Sequence, residues 1–512
     1  MKLKYLFLYG LLLVAASCSL NYNPVDTYSS VTQGVDSLGN AAILKDKAAV
    51  LNQRQILYNI VRDGQEYWWL DILLLAETHS DNAYAGQPGN QTTPFEVNSI
   101  DGANPNLLRD WTGYMSDISS ANVLICNIDS VNDPTLTAVE REQYKAEGKI
   151  FRALIYFDMA RIWGNVPLVT NSITTNITSE NLSELYPTLF PPQTDEKTVY
   201  QQIEKDLLDA LVSAPDNNPS DKTVFSKSVA RALLAKIYAE KPLQDYDKVI
   251  QYCDELTADG FGLVSDFSDL FGVNLKDPNS PPGANNQAID AQARNTKESI
   301  LEAQYFTGSG NWVTWMFGRQ MDNWNFNFIW AKWITPSRDL AAAFKNENDT
   351  KRLNESVVYY PCGWNIYYPA DNYAFMYKCR SGFNSIIRYR YADILLLKAE
   401  ALILGKGDLD AAAAIINQIR ARAGLSPLPV SVTGSKDAMI NALLKERRLE
   451  LAFEGQRWFD LVRLGKVESV LNNLKDSGKP ALVYPYTQYS YKLPIPQNVL
   501  DQNPNFVQNP GY

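Results

Sequence analysis

Hydrophobic positions recur along most of this chain at helical spacing, and in two stretches they do so in matched pairs. Over residues 391–424, Tyr391, Ile394, Leu395, Ala399 and Leu402 form one stripe, Gly405-Lys406-Gly407 interrupts it, and Leu409, Ala412, Ile415, Ile416 and Ile419 form the next. Gly424 then stands where a C-cap glycine ends a helix. Residues 225–260 repeat the scheme: Ala230, Leu233, Leu234, Ile237 and Tyr238 line one helix, and Tyr246, Val249, Ile250, Cys253 and Leu256 the other. Pro242, lacking an amide proton, separates the two. Further amphipathic helices are predicted over 42–61, 106–128, 140–163 and 198–211, with a long charged one over 443–464. Helix pairs of this kind cannot bury their apolar faces alone and stack on one another. The pattern therefore predicts a mostly α fold.

The repeat length, about 34 residues per pair, is that of tetratricopeptide-like units. Between 261 and 385 the periodicity largely stops, giving way to a stretch rich in Asn, Gly, Pro, Tyr and Trp. A loop region this long in a compact protein is functional or disordered, and its aromatic part is too apolar for disorder. No Gly- or Ser-rich linker divides the 512 residues, of which 46% are hydrophobic, so one large domain or two interlocked subdomains are expected. At the N-terminus, Lys2 and Lys4 precede an apolar run over 5–14, then Ala15-Ala16-Ser17 and Cys18. The run is too short to span a bilayer and reads as a signal peptide over 1–17, with Cys18 as the lipidated first residue of the mature chain and 18–40 as its tether. The remaining divisions are a helical part over 41–260, an irregular aromatic-rich insertion over 261–385 and a second helical part over 386–512.

A net charge of −10 without a basic block argues against nucleic acid. The chain has one histidine, His79, and no closely spaced cysteine pair, which leaves little for a metal held by nitrogen or sulfur, and no cofactor is expected. His79, within Glu77-Thr78-His79-Ser80-Asp81, reads as a polar loop residue. Cys126 and Cys253 fall in apolar helical patterns and read as buried thiols; Cys362 and Cys379 flank an aromatic segment and are a possible disulfide. Glu450 and Glu454 lie one helical turn apart, as a pair of hydrolytic carboxylates would. However, Arg447 and Arg457 stand three residues from them, and a nearby cation lowers a carboxyl pKa that a general acid needs raised. The four are expected to be structural ion pairs.

Sugar recognition asks for flat apolar faces beside amides and charged groups. Trp312, Trp315, Trp324, Trp330 and Trp333 fall in one short segment with Asp322 and Asn323, and polar interruptions set it apart from a core stripe. A second polar-aromatic loop holds Asp81, Asn82 and Tyr84, with Trp68 and Trp69 upstream as helix core. A third run, including Tyr359, Tyr360, Tyr367, Tyr368 and Tyr373, fits a β-hairpin whose packing and ligand roles are equally open. Glycan-binding candidates are therefore Asp81, Asn82, Tyr84, Trp312, Trp315, Asp322, Asn323, Trp324 and Trp330. A rival reading, an endo-acting glycosidase, would use Asp322 with Glu302 or Asp371.

The segment 443–464 (LLKERRLELAFEGQRWFDLVRL) and the tail 491–512 (YKLPIPQNVLDQNPNFVQNPGY) resemble the SusD/RagB-like outer-membrane lipoproteins of the Bacteroidetes. So do 147–163 with the following Gly164-Asn165-Val166-Pro167-Leu168-Val169, and 388–401 (RYRYADILLLKAEA), so the likeness covers nearly the whole chain. It implies a non-catalytic surface protein with a tetratricopeptide-like scaffold, which captures oligosaccharide and delivers it to a SusC-like TonB-dependent transporter. Its glycan site is implied to be an arc of aromatics from an early loop and the late insertion. Outer-membrane anchoring through lipid on Cys18 follows from the same resemblance, with peptide or another nutrient as the alternative cargo. Many surface-exported lipoproteins of these bacteria carry acids just after the lipidated Cys, whereas here Asp26 is the first acid.

Overall fold

The computed structural model describes residues 43–86, 89–272, 290–313, 333–362, 365–476 and 478–512. Its principal helices in the N-terminal half are α1 (Lys47–Asp63), α2 (Pro105–Asn127), α3 (Ala138–Trp163), α4 (Glu196–Ser213), α5 (Lys227–Ala239) and α6 (Tyr246–Ala258). Local chemistry sets their ends. Thr137 and Glu140 form a capping box that satisfies the first amides of α3, and Gly164, at φ +75°, ends it. The side chain of Asp195 caps α4 by accepting from the Thr198 amide.

The helices pack in sequence order, α2 on α3, α3 on α4, α4 on α5 and α5 on α6. The succession continues through α6 onto α9 (Tyr391–Ala401), which packs on α10 (Leu409–Arg422) and α11 (Lys436–Glu450). The α5–α6 and α9–α10 pairs are those the two repeats predict, each followed by a positive-φ glycine, Gly260 and Gly424. The fold is mostly α, as the periodicity requires. Trp68 and Trp163 are fully buried, Trp68 stacking on Phe151 with ring centroids 5.8 Å apart. Among the described residues no helix is long and apolar enough to cross a membrane.

Among the described residues there are three two-stranded antiparallel sheets, of which the first two join the insertion to this scaffold and the third lies within it. β1 (Ala83–Tyr84) pairs with β3 (Thr335–Pro336), β2 (Ser299–Ala303) with β6 (Ile386–Arg390), and β4 (Val357–Tyr360) with β5 (Tyr373–Met376). The last pair is the hairpin of the third aromatic run. The insertion is less irregular than its composition implies, because it contains α7 (Arg338–Asn346) and α8 (Thr350–Ser356). Ser337 and Asp349 cap them by accepting from the amides of Leu340 and Arg352. At nine and seven residues, each is too short to show periodicity.

Other expectations need correction. The stretch 443–464 is two helices, α11 and α12 (Arg457–Arg463), divided by a turn with Phe453 at φ +61° and Gly455 at φ +72°. The Gly455 amide donates to the buried carboxylate of Glu77 at 3.0 Å, which holds the turn from a distant part of the chain. Cys362 and Cys379 are buried but not joined. With Tyr360 opposite Tyr373 and Val357 opposite Met376, the hairpin register sends them past opposite ends of the ladder. Cys126 is exposed on α2, whereas Cys253 is buried.

His79 is not a loop residue in water but is fully buried, packed against Trp458 (centroids 4.2 Å apart) and Tyr486 (5.1 Å). Its Nδ1 is 2.7 Å from the Phe95 carbonyl, and burial pushes its pKa down to about 3. A histidine that stays neutral when folded but charges near pH 6.5 when unfolded contributes stability above that pH and loses it as the pH falls toward 3. Subtracting the stability–pH curve of His79→Gln from that of the wild-type protein should leave a difference that shrinks as the pH is lowered through this window. Parallel curves would contradict the neutral assignment.

Candidate functional site

The early loop, the described exit of the tryptophan-rich segment and the aromatic hairpin meet where β1 pairs with β3. Ala83 faces Pro336 and Tyr84 faces Thr335, and just beyond the ladder the Ser337 amide donates to the Asn82 carbonyl at 2.9 Å. The pairing brings the early loop against the exit of the tryptophan-rich segment. The aromatic hairpin closes on both, with Tyr367 stacked on Tyr84 (centroids 4.5 Å apart, 14° between planes) and the Tyr368 hydroxyl donating to the Pro336 carbonyl at 3.0 Å.

Within this junction the early-loop candidates are structural. Asp81 is buried and accepts two 2.7 Å hydrogen bonds from the Arg457 guanidinium. Burial acts to raise its pKa, but Arg448 and Arg457 outweigh it and hold the carboxyl well below the usual range. Asn82 is also buried, donating to Glu77 at 2.7 Å and accepting from Arg448 at 2.8 Å. Burial of Glu77 in turn pushes its pKa up to about 7. Tyr84 donates its hydroxyl to Asp476 at 2.8 Å and accepts from the Arg338 amide at 2.9 Å. Their polar atoms are satisfied internally, so Asp81, Asn82 and Tyr84 support the site from behind and do not form its surface.

Of the tryptophan candidates, Trp315, Trp324 and Trp330 lie outside the described residues, as do Asp322, Asn323 and Cys18. Trp312, at the entry to that segment, is half-buried against the core, its amide donating to Gln65 Oε1 at 3.0 Å. Trp333, at the exit, is buried beneath Arg109, whose guanidinium carbon lies 5.8 Å from the ring centroid.

The open feature of the junction is a cleft of about 510 Å³ between α7 and the hairpin, lined by Arg338, Lys345, Tyr359, Tyr368 and Asn372. Arg338 lies over Tyr368 (4.7 Å to the centroid) and donates to the Tyr367 carbonyl, which fixes the cation beside the rings. Tyr359 meets Tyr368 edge-to-face at 6.0 Å and is half-buried, while Lys345 and Asn372 are exposed. Aromatic edges, cations and an amide around one hollow suit a polyhydroxylated ligand held by ring contact and hydrogen bonds. Tyr359 and Tyr368 are visible in the sequence as members of an aromatic run, whereas the cleft is not. Their joining to Arg338 and Asn372 depends on the hairpin register, which composition does not contain.

The four residues of the charged motif are ion-paired across elements, not along one helix. Arg447 binds Asp393 and Asp460; Glu450 binds Arg352, Arg390 and Arg422; Glu454 binds Lys378 and Arg390; and Arg457 binds Asp81. Of the rival acids, Glu302 is buried and accepts from Ser299, Gln304 and the Asn295 amide, away from this cleft.

A family model described as the SusD family matches residues 345–512, and one described as starch-binding and associating with the outer membrane matches residues 45–239. The chain is 26% identical over 495 residues to SusD-like protein P2 of Formosa agariphila, with 88% of this chain and 89% of that protein covered. Among solved structures it resembles surface glycan-binding protein A of Bacteroides thetaiotaomicron in complex with laminarihexaose. That match has a TM-score of 0.67 at 19% identity, covering 91% of this chain and all of that one. A laminarin-binding SusD-like protein is similar at a TM-score of 0.65 and 23% identity, covering 92% of this chain and all of that one.

Proposed function

The chain belongs to the SusD/RagB-like family, and from that premise we propose that it is a non-catalytic oligosaccharide binder held at the outer membrane, which passes its ligand to a TonB-dependent transporter. The observation that carries the reading is the cleft between α7 and the hairpin, where two tyrosines, two cations and an amide surround about 510 Å³ of open space. Aromatic rings supply area at small entropic cost, and the flanking groups match sugar hydroxyls in direction. Tethering through a lipid on Cys18 would keep the binder beside its transporter at high local concentration, which favours repeated capture and transfer. The divisions at residues 17, 40, 260 and 385 then separate signal, tether, first helical part, ligand-holding insertion and second helical part.

The relatives named for laminarin and laminarihexaose make β-linked glucans the first ligands to try. A panel of neutral and acidic polysaccharides, laminarin included, should yield at least one that binds by calorimetry without release of shorter products. Tyr359→Ala and Asn372→Ala should each weaken that binding, by about tenfold for the tyrosine, which is the usual loss of one aromatic anchor. If no glycan binds while the fold is intact, the cargo is a peptide or another nutrient. Product formation would make the protein a hydrolase.

A further inference from the structure

A second cleft, of about 400 Å³, opens between α1, the loop before α5 and the end of β2, and shares no lining residue with the first. One wall is the polar face of α1, where Gln55, Asn59 and Arg62 follow at helical spacing. The facing wall is a tight turn in which Phe306 and Ser309 exchange backbone hydrogen bonds (3.1 and 2.9 Å) around Gly308 at φ +93°. The turn projects Phe306, a residue 42% exposed, and the Arg62 guanidinium lies 5.6 Å from its ring centroid.

The hydrogen-bonding state of the lining decides what chemistry fits. Arg62 is held by the Asp63 carboxylate at 2.7–2.8 Å, and the buried Glu302 carboxylate is occupied by Ser299, Gln304 and the Asn295 amide. Asp221 accepts from the amide and hydroxyl of Thr223. Arg62 is thus neutralised by its neighbour, and both carboxylates have their oxygens engaged by neutral donors. Gln55 donates to Asn59 Oδ1 at 3.1 Å, which leaves the Asn59 amide hydrogens and Gln55 Oε1 directed at no described partner. What the cleft offers is neutral donors and acceptors around one exposed ring. An anionic ligand would meet two carboxylates and an arginine already paired with Asp63, whereas a ring-shaped neutral polyol would find both a platform and hydroxyl partners.

We propose that this cleft is a second saccharide site, taking one neutral pyranose unit, so that a long glycan is held at two points. It rests on the glycan-binding reading above. Two-point attachment raises the affinity for a chain long enough to span both clefts without new contacts at either.

The test is saturation-transfer NMR on the full chain with the methyl glycosides of glucose, galactose, mannose and xylose, comparing wild type with Phe306→Ala, Asn59→Ala and Tyr359→Ala, each checked for an unchanged melting temperature. Transfer to at least one glycoside should persist in Tyr359→Ala and fall at least fivefold in Phe306→Ala and Asn59→Ala. Absence of transfer, or transfer insensitive to Phe306→Ala and Asn59→Ala, overturns the second site. The two readings fail separately. A polysaccharide bound equally by wild type and Phe306→Ala but weakly by Tyr359→Ala removes only the second cleft, whereas failure of every polysaccharide and every glycoside to bind removes both.

Discussion

Asp81→Ala is expected to lower the unfolding free energy by about 3–5 kcal/mol, the cost of breaking a buried ion pair from one side, and to leave the glycan affinity of the folded protein unchanged. Asp81 lies in a loop whose composition suits ligand contact, so the variant separates the two roles. The carboxylate takes both prongs of Arg457 at 2.7 Å, with Arg448 at 3.4 Å. Without it, Arg448 keeps Asp339 and Asn82, but among the described residues Arg457 retains the Leu444 carbonyl alone as a hydrogen-bond acceptor for its buried positive charge. Stabilities of folded domains are about 5–15 kcal/mol, so such a loss should be plain in a denaturant titration. In Asp81→Ala/Arg457→Met, which removes the stranded charge, at least half of the lost stability should return. Unchanged stability with glycan binding weakened by more than threefold would restore Asp81 as a ligand contact.

What could be read from the sequence follows the range of the interactions involved. The helix pairs at 225–260 and 391–424 were legible because an α-helix repeats its buried face every 3.6 residues, and that signal is local. The break after Glu450 was not, because part of what holds it is Glu77, 378 residues away in sequence. Asp81 and Asn82 looked exposed for the same reason: the arginines that bury them lie 376 and 366 residues downstream. His79, in a polar pentapeptide, is buried by Trp458 and Tyr486 from the far end of the chain. At the candidate site, the aromatic content was visible in composition, but the cleft was not. Arg338, Tyr368 and Asn372 meet only because β1 pairs with β3 and β4 with β5.

The larger loss should come from Glu450, which accepts from three guanidiniums on three elements: Arg352 of α8 at 3.1 Å, Arg390 of β6 at 2.6 Å, and Arg422 of α10. All four side chains are nearly inaccessible to solvent. Burial alone would raise the Glu450 pKa, yet Arg422, Arg390 and Arg352 together hold the carboxyl well below the usual range, so it is ionised when folded. Glu450→Gln keeps the shape and removes the charge. Arg390 still meets Glu298 and Glu454, Arg422 still meets Glu298, and Arg352 still meets Asp349 and Glu446, but the three guanidiniums lose the one anion they share. Stability should fall by about 4 kcal/mol or more, with α8 and the hairpin that follows it loosened first in hydrogen exchange, since Arg352 loses one of the two carboxylates that tie it to α11. The pH dependence supplies an independent check. A carboxyl whose folded pKa lies below its unfolded value of about 4.3 contributes stability above that pH and loses it as the pH falls. Wild-type protein should therefore lose stability steeply below about pH 4, and Glu450→Gln should lose less over the same interval. A variant that is equally stable at neutral pH and equally acid-sensitive would mean that the three arginines are held by their other partners, and that Glu450 is dispensable to the joint between the insertion and the C-terminal helices.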